Sequence, residues 1–271
     1  MIVFQIFANE IRQKIKSILI YSLIIGGFVV LLAYLYDPVM FGDIDEMFAN
    51  YPDELLLMFG GDVNLATLDG FMHLEIFAFS WLWFGIYLIL HSARDIPSDI
   101  ENKTIELTLS KPINRWEYIA GKALSHFISA ACVIFTSLLG LVIYLPNEPR
   151  FEGVFNLGNI AIAFVWLFVF MFALMASALL ISTTFSSGKS VGLAFGFLVF
   201  MFFFGTYWGI LDESLENIKY FSLFYYFDTS SILNMGELGN FWPHTGVLLG
   251  YSLIMILCTI LVFNNRDIPI K

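Results

Sequence analysis

Residues 158–182 read GNIAIAFVWLFVFMFALMASALLIS, an unbroken run without Asp, Glu, Lys or Arg. At about 1.5 Å rise per residue, roughly 20 apolar residues in a helix cross the ~30 Å hydrocarbon core of a bilayer. Five further stretches share this character, at about 18–36, 71–91, 122–145, 190–210 and 245–263. Hardly any charge falls inside them, and Glu75 and Lys122 are expected near ends where headgroups solvate them. A charge at mid-membrane costs roughly 2.5–3.5 kcal/mol, so this avoidance is what spans should show. The whole chain is 59% hydrophobic and only 13% charged, with a mean hydropathy of +0.80. A water-soluble protein of 271 residues needs more polar surface than that. The sequence predicts an all-α integral membrane fold of six transmembrane helices, forming one domain over 1–271 without repeat or linker.

The flanks of the spans add detail. In residues 1–16, Phe4, Phe7, Ile11 and Ile15 recur at helical spacing, with Gln5, Asn9, Arg12, Gln13 and Lys16 on other faces. That pattern predicts an amphipathic helix in the interface just before the first span. The apolar run that follows is too long for a signal-peptide core and ends in Asp37-Pro38, so the N-terminus is expected to be retained. If both termini are cytoplasmic, all of the 13 Lys and Arg except Arg150 and Lys219 fall on the inner side, the bias that sets orientation. Acid crowds the opposite side, with Asp37, Asp43, Asp45, Glu46, Asp53, Glu54, Asp62 and Asp69 in an extracellular loop at 37–70. Such a loop is a solvated acidic face or, less simply, a cation-attracting mouth. Between the last two spans, YFSLFYYFDTSSIL is too apolar for a solvated loop and too short to cross. Re-entrant helices, or aromatics at the headgroup belt, are the two readings.

Enzymatic signatures are missing. No His-x-x-x-His, GxSxG or zinc-spaced Cys/His cluster occurs. His73 and Glu75 are two apart and so on different helix faces, and His91 and His126 read as isolated interfacial histidines. Cys132 and Cys258 lie in apolar runs, where small buried hydrophobes are expected. Ser186-Ser187-Gly188-Lys189-Ser190 ends like a phosphate-binding loop, but Thr183 stands where its first glycine belongs. Without the glycine-rich turn the amides cannot cradle phosphates, so the chain is not expected to bind ATP, a metal or any other cofactor itself.

The connector at 93–121 is the most informative stretch. It contains SDIENKTIELTLSKPINRWEYIAGK, running from Ser98 to Lys122. Ile96, Ile100 and Leu107 recur near helical period, predicting a short amphipathic helix along the inner membrane face. Pro112 ends it, and Asn114 with Glu117 three residues later resembles a capping box that restarts a helix into span three. Helix, break and capped helix in succession make a connector that transmits rigid-body motion, or one that merely rests at the interface.

At these residues the chain resembles ABC-2-type transporter permeases, the membrane subunits of ATP-driven exporters. The match consists of Asp99, Glu101, Thr104, Glu106, Leu107, Leu109, Ser110, Pro112, Arg115, Gly121 and Lys122, while Lys103 replaces a usual glycine and Asn114 a common serine. Phe263 and Arg266-Asp267 after the last span also resemble the family's ending, and residues 1–16 its connecting helix. The resemblance implies a half-transporter. Two copies, or this chain beside a related permease, would pair with two cytoplasmic ATPase subunits that bind the ATP, and the 93–121 connector would act as a coupling helix. It implies that Asp99, Glu101, Thr104 and Glu106 face or brace the ATPase. It further implies that Pro112 belongs to the coupling connector and that Arg115 and Lys122 would pin the start of span three through Glu101 or lipid phosphates. Membrane lipid is an expected partner, and nucleic acid is not. The apolar spans suit a hydrophobic or amphiphilic cargo. Two other readings stay open: a non-translocating sensor, immunity or mechanical-coupling protein on this scaffold, and a membrane enzyme acting on lipids.

Overall fold

The computed structural model describes residues 2–42, 64–110, 112–206 and 213–266. Six helices in it are long and apolar enough to cross a membrane, and no strand occurs among the described residues. Hydrocarbon offers no partner to a peptide group, so a span must satisfy its own N–H and C=O groups, as a helix does. The first span is α1, Ile2–Leu35. The second begins as α2, Leu68–Met72, widens through π-helical stretches at His73–Ala78 and Trp81–Gly85, and continues as α3, Ile86–Glu101. A short α4, Thr104–Leu109, follows, then α5, Arg115–Tyr144. The fourth and fifth spans are α6, Leu157–Ser182, and α7, Ser187–Thr206. Two 3₁₀ segments, Glu213–Phe221 and Leu223–Tyr226, lead to α8, Ser230–Met235, and the last span is α9, Phe241–Asn264.

α6 is the axle of the bundle, with 78% of its most apolar stretch buried against 17% for α7 and 22% for α9. Ala163, Ala173, Ala176, Ser177 and Ala178 keep its surface narrow, while Trp166, Phe164 and Phe170 fill the gaps between neighbours. Lipid tails are as apolar as leucine, so this close fit supplies dispersion contact that lipid does not match. α1 packs along α5, and the seam is tight at glycine. A Cβ on Gly121 would meet Ile6 Cγ2 at 2.7 Å, and one on Gly140 would meet Val30 Cγ2 at 2.8 Å.

The structure departs from two expectations here. Residues 2–16 do not form a separate interfacial helix but continue unbroken into the first span. Nothing at 16–18 breaks a helix, and the inward face carries Ile6, Glu10, Ile18, Ser22 and Ile25, leaving Phe4 67% exposed. Nor does the connector hold one amphipathic helix: α3 carries Ile96 and Ile100, and a reversal at Asn102-Lys103 sets Leu107 on α4. The segment between α7 and α9 packs on α6, with Phe227 stacked on Phe170 at 4.5 Å and Phe224 edge-on at 5.0 Å. His73 Nδ1 lies 2.9 Å from Thr229 Oγ1, tying this segment to the second span. Asp43, Asp45, Glu46, Asp53, Glu54 and Asp62 of the acidic loop lie outside the described residues.

Candidate functional site: the connector and the charge cluster behind it

The connector starts where α3 ends. Lys103 sits at φ 59°, ψ 14°, the left-handed region, and is the one non-glycine residue with positive φ among those described. Left-handed geometry turns the chain sharply and presses a Cβ towards the following carbonyl, which is why glycine suits such a position. α4 then runs along the basic end of the bundle with Ile105 buried and Leu107 72% exposed. Pro112 is exposed, and the Glu117 carboxylate accepts from the Asn114 backbone N–H at 2.9 Å, the return arm of the expected capping box.

Behind the connector, three helices bring charges together. α1 supplies Glu10 and Lys14, α3 supplies Asp95 and Asp99, and α5 supplies Tyr118, Lys122 and His126. Lys122 Nζ lies 2.7 Å from Glu10 Oε1, 3.0 Å from Asp95 Oδ1 and 2.6 Å from Asp99 Oδ2, with its side chain fully buried. Lys14 Nζ bridges Glu10 at 2.7 Å and Asp95 at 2.6 Å. Tyr118 donates its hydroxyl to Asp99 Oδ2 at 2.5 Å, and Thr104 Oγ1 donates to Asp99 Oδ1 at 3.1 Å. His126 Nε2 stands 3.0 Å from Asp95 Oδ2, close but misaligned for a hydrogen bond.

Lys122 is therefore not at a headgroup-solvated end, and neither it nor Arg115 reaches Glu101. A buried ammonium is tolerable only with partners of opposite charge, and here three carboxylates surround it. Nor is His126 isolated. Sequence reading did not single out Glu10, Lys14 or Asp95, and it set His126 apart from any cluster. The available hint was Glu10 and Lys14 four apart on one face, but their partners lie far along the chain: Asp95 is 81 residues from Lys14.

The remaining connector residues reach the other spans. Glu101 is exposed, yet both its oxygens engage the start of α7. Ser187 N–H donates to Oε1 at 3.0 Å and Ser187 Oγ to Oε2 at 2.7 Å. A carboxylate there satisfies an orphan helix N–H and meets the positive end of the helix dipole. Arg115 Nη1 donates to the carbonyls of Phe263, Asn264 and Arg266 at 3.0, 2.9 and 2.7 Å, capping the C-terminus of α9. Arg266 in turn donates to the Thr183 carbonyl just past α6. Segment 99–122 thus holds the same end of spans one, two, three, five and six directly, and that of span four through Arg266. Glu106 is half-buried and bonds none of these helices.

Geometrically, this is a junction of helix ends. The cleft lined by Glu10, Asp99, Thr104 and Tyr118 measures about 90 Å³, room for a few waters but not for a nucleotide. Among the described residues no three of His, Cys, Asp and Glu converge to hold a metal ion. No curated protein matches the chain. A family model described as "ABC-2 family transporter protein" matches residues 4–268, nearly the whole length. With six spanning helices and that match, the chain is a multi-pass membrane protein that belongs to the ABC-2 transporter family, as a permease subunit.

Proposed function

We propose that this permease is the membrane half of an exporter for a hydrophobic or amphiphilic substrate, driven by separate cytoplasmic ATPase subunits that dock on α4. The observation that carries this reading is the convergence of all six span ends on segment 99–122. A force applied there reaches every span through hydrogen bonds and ion pairs rather than through a slack loop. Within the segment, α4 supplies the docking face: Thr104 and Leu107 are exposed and Glu106 half-exposed. Asp99, Glu101, Arg115 and Lys122 brace that face from the membrane side, and Pro112 ends it. On this reading the basic end is cytoplasmic and ATP binds only to the partner. The 3₁₀ segments and α8 are re-entrant elements at the opposite gate.

A second permease packs against α7. That helix is largely uncovered, and Gly188, Gly192 and Gly196 leave open space where a Cβ would stand. In lipid, small residues four apart let a second helix approach closely.

Copurification from native membranes tests the proposal. The tagged chain should bring down an ATPase subunit carrying GxxxxGK[ST]. Leu107→Asp and Glu106→Lys should each lower its recovery about tenfold, the loss of about 1.4 kcal/mol of binding. Glu152→Lys, at the other end of α5 and α6, should leave recovery unchanged. An ATPase retained in full by both α4 variants, or none recovered with the native chain, would refute it.

A further inference from the structure

The mechanical reading leaves unused a lateral cavity between α1 and α3. It measures about 430 Å³ and is lined by Tyr21, Leu82, Ile86, Tyr87, Leu90, His91 and Arg94. The lining is graded along the second span, from the π-helical stretch Trp81–Gly85 into α3. Leu82, Ile86 and Leu90 make an apolar wall. Tyr87 stacks on Tyr21 at 3.9 Å between ring centroids, and His91 stacks on Tyr87 at 5.7 Å. Arg94 closes the series at the basic end, exposed, near enough to Glu101 to attract its charge but with no hydrogen bond or ion pair to any of the described residues.

The acids near Arg94 are otherwise engaged. Asp95 holds Lys14 and Lys122, Asp99 holds Lys122, Tyr118 and Thr104, and both oxygens of Glu101 hold Ser187. A guanidinium with no direct partner among the described residues, at the mouth of an apolar, aromatic-walled cavity in a membrane protein, matches an anionic head on an acyl chain. Guanidinium binds phosphate oxygens through paired N–H donors, and aromatic rings suit the interface level where head meets chain.

We infer that this cavity binds an anionic phospholipid of the surrounding leaflet, its phosphate on Arg94 and its upper acyl chain along Leu82, Ile86 and Leu90. The bound lipid then sits between α1 and α3, beside the ion pairs that join the same two helices. This site rests on the spanning character of α1 and α3 and not on the docking of an ATPase at α4.

Native mass spectrometry of the full chain, released from nanodiscs of phosphatidylcholine doped with phosphatidylglycerol, reads the site directly. The wild type should retain phosphatidylglycerol in preference to phosphatidylcholine. Arg94→Gln should lower that retention about tenfold, as loss of one charge-assisted contact predicts, and Arg94→Lys should restore part of it. Ile86→Trp fills the cavity without touching charge and should lower retention comparably. Arg12→Gln, another exposed cation, on α1 outside the cavity, should have no effect. Equal retention of both lipids by the wild type overturns the site, as does an unchanged Arg94→Gln. An unchanged Ile86→Trp overturns it too, since attraction would then be to charge alone, and so does an equal loss in Arg12→Gln.

Discussion

Lys103 carries the sharpest consequence at the scale of single residues. Its left-handed backbone reverses the chain between α3 and α4 and costs a side chain roughly 1–2 kcal/mol that glycine avoids. Lys103→Gly should therefore raise the thermal midpoint of the detergent-solubilised protein, with a net gain of about 1 kcal/mol after the greater unfolded-state freedom of glycine is counted. Lys103→Ala should give no gain, because alanine keeps the Cβ. Equal midpoints for the glycine and alanine variants would remove the strain argument. The sequence already marked this position, since Lys103 stands where related permeases carry glycine; the left-handed angle is the reason that glycine is useful there. Gly121 has a different cause, the approach of α1 to within contact of its Cα.

Among elements, the decisive join is α1 to α3 and α5 through Lys122. Lys122→Met would take the ammonium from Asp99 and leave Lys14 alone to balance Glu10 and Asp95, and breaking a buried pairing costs up to about 3–5 kcal/mol. The expected result is a large fall in thermal midpoint, with faster amide exchange over residues 2–16 where α1 loses its anchor. Adding Asp95→Asn should recover part of the loss, because fewer charges are then left unmatched. A Lys122→Met protein as stable as the wild type would show that the cluster contributes nothing to holding α1. This join was not legible in the sequence. Glu10 and Lys14 stood among the polar positions of residues 1–16 without any mark of their own, since a helix pattern shows which residues share a face but not which face turns inward.

For the whole molecule, the prediction of sidedness follows from charge. The bundle gathers Lys14, Arg115, Lys122 and Arg266 at one end, while Arg150 holds the carbonyls of Tyr34 and Tyr36 at the other, at 2.7 and 3.1 Å. With Cys132 and Cys258 replaced by alanine, cysteines at Glu106 and Asn265 should react with an impermeant maleimide only after permeabilisation. A cysteine at Glu152 should react in intact cells. The reverse pattern would invert the topology and move α4 out of reach of a cytoplasmic ATPase.

Solvent, number of spans and family were all legible in the amino-acid sequence. Each of these depends on composition along a continuous stretch: long apolar runs force helices in hydrocarbon, and the 99–122 motif is local. Tertiary structure alone decided that Lys122 is buried among Glu10, Asp95 and Asp99, that Glu101 caps α7, and that Arg115 caps α9. Those contacts join residues separated by tens to more than a hundred positions, and which helix faces meet is fixed by side-chain packing across the bundle.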